Sequence, residues 1–117
     1  MNQREQSWAL ITLYKRLYKK RYGIDSTMNS YSAQWNFQAI LKLKDLSYQQ
    51  LRDVIEYYFT CDANGHSIDT FFNKYMELNR MRLDLIRDAE KRKQIMAETA
   101  ERVRRMEERA NNSGEAN

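Results

Sequence analysis

Apolar and aromatic positions are distributed unevenly along this chain of 117 residues. All fourteen aromatic residues lie between Trp8 and Tyr75, and the forty-two residues that follow carry ten Lys or Arg and nine Asp or Glu. Large aromatic side chains dominate the energetics of a core. We therefore predict a helical head over residues 1–88, a charged helix continuous with it over residues 89–110, and a disordered tail over residues 111–117.

The first two helices are predicted from apolar residues that recur with the 3.6-residue helical period. One runs from about Glu5 to Tyr22, and Gly23 suits the left-handed residue that ends a helix. The next spans about Tyr31 to Lys44 and is apolar over a wide arc, as a central helix would be. The residues of that arc are Trp35, Phe37, Ala39, Ile40, Leu41 and Leu43.

Two further helices have clear start signals. Ser47 and Gln50 have capping-box spacing, which predicts a third helix that ends near Thr60. Ser67 is placed to cap a fourth helix, and nothing breaks this helix until about Asn111. Residues of the fourth helix expected to close the head are Phe71, Phe72, Tyr75, Leu78, Leu85 and Ile86. The predicted fold class is all-α, a small head of three short helices plus a long C-terminal helix extending from it.

The composition of the chain indicates its secondary structure and its cellular compartment. It has no Pro and three Gly, which favours helix throughout. The single Cys61 excludes an internal disulfide and a zinc site with several cysteines, and it favours a reducing compartment. We find no signal-peptide pattern and no apolar run of about 20 residues. We expect a cytoplasmic protein without a membrane segment.

The chain lacks the motifs of the common enzyme classes. Neither a P-loop nor a dinucleotide-binding motif is present. His66 is the only histidine, and it has neither the partners of a metal ligand nor a nearby nucleophile. Residues 62–69 alternate oxygen-bearing side chains as a calcium loop does, but Gly65 falls at the fourth position and Asn73 at the twelfth, so a capped turn explains them better. We expect no catalytic residue, no cofactor and no metal.

Basic residues are concentrated in the first helix. Residues 4–22 contain six Lys or Arg and one acid, Glu5. Cations of this kind would neutralise phosphates, and the candidate nucleic-acid-binding residues are Lys15, Arg16, Lys19, Lys20 and Arg21. Tyr14, Tyr18 and Tyr22 lie among them and would either stack on bases or pack inward beside Leu17, whose side of the helix they share.

The C-terminal helix carries a sparse apolar seam. Alternating steps of four and three residues from Phe71 follow a heptad pattern, which Arg82, Arg92 and Thr99 interrupt. The seam indicates either self-association or docking on a partner protein, because a long isolated helix gains most of its stability from tertiary contacts. The candidate partner-binding residues are Arg92, Met96, Val103 and Met106.

Three aromatic segments precede the charged helix, namely Trp35-Asn-Phe37, residues 54–59 and residues 67–75. Together with that helix they resemble small accessory proteins of tailed phages that serve replication or late transcription. The paired aromatics also resemble the aromatic helix motif of phage replisome organisers and primosomal helicase-loading proteins, although here a polar turn follows Phe59. The resemblance implies an adaptor in the host cytoplasm that docks on polymerase or helicase machinery and contacts DNA.

These observations predict a non-enzymatic helical adaptor in nucleic-acid transactions, an accessory factor of replication or transcription. The basic first helix would contact phosphates, and the long helix would dock on a protein. The alternative is a structural or regulatory interaction protein that binds only protein, and one form of this alternative is a homodimer through the C-terminal helix.

Overall fold

The structure is a computed structural model that describes residues 1–115, with side chains described through Asn112. Over these residues the chain forms four α-helices and no strand. The prediction of an all-α fold with three short helices and a long C-terminal helix is confirmed. The helices are α1 (Gln3–Tyr22), α2 (Ser30–Leu43), α3 (Tyr48–Thr60) and α4 (Ile68–Glu115).

Two asparagines start the first two helices one or two residues earlier than predicted. The side-chain oxygen of Asn2 accepts a hydrogen bond from the backbone N–H of Glu5 at 2.8 Å. The side-chain oxygen of Asn29 accepts from the N–H groups of Tyr31 and Ser32, both at 3.1 Å. Each cap satisfies N–H groups that have no partner within their own helix.

The other predicted helix signals are confirmed. Ser47 and Gln50 form both hydrogen bonds of the capping box, at 3.2 and 2.8 Å. Ser67 accepts a bond from the N–H three residues on at 3.2 Å and so caps α4. Gly23 ends α1 with a φ of 73°, in the left-handed region that favours glycine. Lys44 adopts the same region, with a φ of 58°, and is the residue that ends α2.

The core is built around α1, which packs against both α2 and α3. The prediction that α2 is the central helix is therefore wrong. The amphipathic spacing of α3 is confirmed, because Leu51, Val54 and Ile55 have no exposed surface. The other apolar side chains with no exposed surface are Leu10, Phe37 and Phe71.

Only part of the wide apolar arc of α2 faces the core. Trp35 is 67% exposed and Leu43 is 71% exposed, so part of the apolar arc that suggested a central helix lies at the surface. Lys42 lies seven residues after Trp35 on the same stripe, and burying that stripe would bury an unpaired ammonium group. Phe37 packs inward instead, with its ring centroid 4.8 Å from that of Phe72. The buried residues of α2 are Ala33, Gln34, Phe37, Ile40 and Leu41.

The chain divides into two compact units, Met1–Arg82 and Leu83–Asn117, and α4 contributes to both. The division comes earlier than the predicted boundary at residue 88. At the end of the first unit the Arg82 guanidinium donates to Asn79 at 2.9 Å and lies 3.8 Å from the Asp53 carboxylate. The contact with Asp53 joins α4 to α3, whereas Asn79 belongs to α4 itself.

The residues of α4 that follow Arg82 do not add to the core of the head. Leu85 is 57% exposed and Ile86 is also exposed, so the prediction that both close the head is wrong. The helix continues to Glu115, although we predicted a disordered tail from residue 111. The remainder of that predicted tail, residues 116–117, lies outside the described residues. No helix within residues 1–115 combines the length and apolar character needed to cross a membrane.

Candidate nucleic-acid interface

The outer face of α1 brings four of the five predicted phosphate-binding residues together. At about 100° of rotation per residue, these four cations fall within an arc of about 140°. All of them are exposed, and the core residues of α1 lie on the opposite side. We call this surface the basic face. Its residues are Lys15, Arg16, Lys19 and Lys20.

Acidic residues are scarce in the first part of the chain. Glu5 and Asp25 are the only carboxylates among residues 1–44, which contain eight Lys or Arg. Asp25 lies 3.5 Å from the Lys19 ammonium group, and because both side chains are exposed the pair contributes little to stability. Residues 45–117 hold twelve Lys or Arg against fourteen Asp or Glu. The net positive charge of the protein therefore lies in its first 44 residues, where it would attract a polyanion.

Arg21, the fifth predicted residue, lies apart from the basic face. Its guanidinium donates to the backbone carbonyl of Phe59 at 2.7 Å and lies 3.7 Å from the Asp62 carboxylate. The last turn of α3 has no basic residue of its own. Arg21 thus satisfies one of the final carbonyls of α3 and places a cation at the negative end of its dipole. The structure assigns it to packing of the head.

The tyrosines of α1 differ in burial, since Tyr14 is buried, Tyr18 is half-buried and Tyr22 is 36% exposed. Tyr14 is buried, and its hydroxyl donates to the backbone carbonyl of His66. The Tyr22 hydroxyl bonds to the ring of the same histidine, and the Tyr18 ring lies 4.7 Å from that of Tyr22. Burial, followed by the neighbouring tyrosines, raises the pKa of Tyr14 well above its usual range. Of the two interpretations left open by the sequence, the structure favours inward packing for Tyr14 and Tyr18.

His66 is a structural residue of the turn between α3 and α4. It has no exposed surface, and its Nε2 lies 2.8 Å from the Cys61 carbonyl oxygen. Because a carbonyl only accepts, Nε2 carries a proton, and in the neutral ring Nδ1 accepts from the Tyr22 hydroxyl. The ring stacks on Phe59 at 5.0 Å. Among the side chains described through Asn112, no three His, Cys, Asp or Glu cluster as metal ligands would.

The structure also shows an aromatic surface that sequence reasoning missed. Tyr31 and Trp35 lie one turn apart on the outward face of α2, 73% and 67% exposed. The Trp8 ring of α1 meets the Tyr31 ring edge to face, with centroids 6.0 Å apart. We call these three residues the aromatic strip. The signal available in the sequence was Lys42, whose charge marks the Trp35 side of α2 as the outer one.

The aromatic strip and the basic face are adjacent along α1. Trp8 and Lys15 are seven residues apart, which places them on the same side of the helix and about 10 Å apart along its axis. Trp8 is half-buried against the core and so fixes this side of α1 next to the start of α2. Cations and aromatic rings therefore share one side of the head.

The four predicted partner-binding residues lie on one stripe of α4 in the second unit. Met96, Val103 and Met106 are exposed large apolar residues, and Arg92 is exposed as well. Next to them Glu101 pairs with Arg104 at 2.7 Å. The structure thus groups these residues, and docking through them stays a prediction.

Comparison of the chain with models of protein families, with curated proteins and with solved structures found no match. The resemblance to small tailed-phage accessory proteins remains a prediction. Three surfaces bear on function: the basic face of α1, the aromatic strip and the apolar stripe of α4.

Proposed function

We propose that this protein is a non-enzymatic adaptor in nucleic-acid transactions, such as replication or transcription, that binds nucleic acid through the basic face and a protein through the stripe of α4. The observation that carries the proposal is the separation of charge. Eight Lys or Arg and two acids lie in the first 44 residues, and four of those cations share one exposed surface. Clustered cations on one helix are the electrostatic footprint of a protein that contacts phosphates.

The mechanism of binding is neutralisation of phosphate charge. Four contacts would release the counterions of four phosphates, which gives a slope of log K against log salt of about −3 to −4. Phosphates are the same in every sequence, so the basic face supplies affinity and positioning but no base specificity. We expect dissociation constants of about 10⁻⁴ to 10⁻⁶ M at physiological salt, the range of non-specific binding.

Fluorescence anisotropy with labelled 20-nucleotide single strands and 20-base-pair duplexes tests this proposal. Titrations between 50 and 200 mM salt give the slope. A variant with alanine at all four positions of the basic face should lose most of the affinity and most of the slope. No binding of either probe by the wild-type protein at 50 mM salt would refute the proposal.

A matched control distinguishes the contribution of the basic face to binding from the contribution of net charge. Alanine at four exposed cations of α4 removes the same amount of positive charge from the balanced part of the chain. This control should bind with nearly the wild-type slope, whereas an equal loss in both variants would mean that net charge alone matters. The control residues are Arg87, Lys91, Lys93 and Arg109.

One observation favours the second function, a protein that binds only protein as a homodimer. In the heptad pattern of α4, Asp88 and Lys93 lie beside the apolar seam. In a parallel coiled coil, residues at these two positions pair between the two helices. Arg102 and Glu107 occupy the same two positions farther along α4. Both pairs are opposite in charge. Light scattering at high protein concentration tests it: a monomer would eliminate the dimer. Val103→Glu should dissociate a dimer that does form, because it places a charge in the seam.

The protein-docking half of the adaptor is tested separately from dimerisation. Affinity purification of the chain from its own cell or infected host identifies proteins that bind it. Met96→Glu and Met106→Glu should abolish capture if the stripe of α4 is the docking surface. Capture of the same proteins by the double variant would place docking elsewhere.

A further inference from the structure

The aromatic strip presents two large rings to solvent on a face that the core does not use. Tyr31 and Trp35 lie on the same side of α2, and the buried residues of that helix lie on the other. Trp8 supports the strip at one end through its edge-to-face contact with Tyr31. An indole and a phenol in this arrangement offer flat, polarisable faces that another flat group can cover.

The charge around the strip selects an anionic partner. Lys42 is the only charged residue of α2 and lies on the stripe of Trp35, about 10 Å farther along the axis. On the other side of the strip, Lys15 follows Trp8 along α1. Residues 1–44 hold two carboxylates, Glu5 and Asp25, against eight Lys or Arg, and Lys19 contacts Asp25. A partner that covers these rings therefore meets cations on both sides.

We propose that single-stranded nucleic acid crosses from α1 to α2, with bases stacked on Trp35 and Tyr31 and phosphates bound by the basic face and Lys42. This inference rests on the proposed function and assigns the class of nucleic acid. Exposed aromatic rings beside a basic surface are how proteins bind single strands without reading their sequence, because every base has a flat face.

The geometry favours a single strand over a duplex. In a duplex the faces of each base are covered by its neighbours, which lie about 3.4 Å away along the strand. Tyr31 and Trp35 are separated by about 6 Å along α2. Successive bases must separate to cover both rings, and a single strand does this without breaking base pairs.

Ring removal in the full-length protein tests the inference. Trp35→Ala and Tyr31→Ala should each weaken binding of the single strand dT20 by about 5- to 150-fold. Binding of a 20-base-pair duplex should change little. The salt slope should stay at its wild-type value, because no phosphate contact is removed. Circular dichroism should show unchanged helix content, since both side chains are exposed.

Two control variants separate stacking from general loss of apolar surface. Leu43→Ala removes an exposed apolar side chain from the same helix without removing a ring, and dT20 affinity should stay within about 2-fold of wild type. Trp35→Phe keeps a ring and should retain most of the affinity. In the wild type, dT20 should quench tryptophan fluorescence, and Trp35→Phe should lose most of that quenching because only Trp8 remains.

The outcomes separate this inference from the proposed function. Wild-type affinity for dT20 in both ring variants would overturn stacking and leave phosphate binding intact. A wild type that binds the duplex as tightly as dT20 would also overturn it. Failure to bind either probe would refute both proposals. Uridine 20-mers should bind within a few-fold of dT20, because stacking needs no 2′-hydroxyl.

Discussion

Replacement of Arg21 by alanine distinguishes a residue that holds the head together from one that contacts nucleic acid. From sequence alone Arg21 belongs to the basic cluster, yet in the structure it donates to the Phe59 carbonyl at 2.7 Å. Lys20 is its neighbour in the chain and points to solvent from the basic face. Arg21→Ala and Lys20→Ala remove one positive charge each, so they form a matched pair.

The expected loss of stability follows from the contacts of Arg21. A hydrogen bond to a charged group contributes about 1.5–3 kcal/mol. The interaction of a cation with the end of a helix dipole adds about 0.3–1 kcal/mol. The contact with Asp62 at 3.7 Å adds little, because that carboxylate is exposed. We expect Arg21→Ala to lower the free energy of unfolding by about 2 kcal/mol and Lys20→Ala to change it by less than about 0.5 kcal/mol.

Thermal unfolding followed by circular dichroism measures the first effect, and anisotropy with dT20 measures binding. For a head of 82 residues, a loss of about 2 kcal/mol lowers the Tm by on the order of 10 °C. At a temperature where both variants are folded, Lys20→Ala should bind dT20 more weakly than Arg21→Ala does. The reverse pattern, an unchanged Tm and weaker binding for Arg21→Ala, would show that Arg21 contacts nucleic acid.

Three further predictions address the core, the pH dependence and the two units. Phe37→Ala should lower the free energy of unfolding by about 3–5 kcal/mol in urea titrations, because the side chain is fully buried, and a smaller effect than that of Trp35→Ala would contradict the assigned faces of α2. Burial raises the pKa of Tyr58 to about 12 from its usual 10. The folded state therefore holds this proton more tightly than the unfolded state, and the resulting stability is present below pH 10 and lost as the pH rises towards 12. Urea titrations across this range should show a weaker pH dependence in Tyr58→Phe. A chain ending at Asp88 should keep the cooperative unfolding of the head, and loss of that cooperativity would show that the rest of α4 is needed for folding.

The helices were predictable because their signals are local. The capping box of Ser47 and Gln50, the glycine at Gly23 and the cap at Ser67 each act within a few residues of sequence. Caps satisfy N–H groups of their own helix, so sequence spacing alone identifies them. The predicted starts of α1 and α2 differ from the structure by one or two residues, because the caps Asn2 and Asn29 were not recognised in the sequence.

The faces of the helices were harder to predict because they depend on other helices. Trp35 and Phe37 both belong to stripes with helical spacing, and the packing of Phe37 against α4 shows which stripe is buried. The separation of Arg21 from the basic face has the same origin, since its acceptor lies 38 residues away in the chain. Of the candidate site, the sequence identified the four cations of the basic face, and the aromatic strip was found only in the structure.

The bonds that hold the end of α1 also have a consequence for the order of folding. Tyr14, Arg21 and Tyr22 bond to groups that lie 52, 38 and 44 residues later in the chain. Such long-range contacts form only after a large loop of chain has closed. The last turns of α1, which carry Lys19 and Lys20, therefore acquire their final positions together with the turn at His66. The end of α1 is thus fixed against the rest of the head by the same cooperative step that closes the core, so a chain that stops before His66 lacks the bonds of Tyr14 and Tyr22.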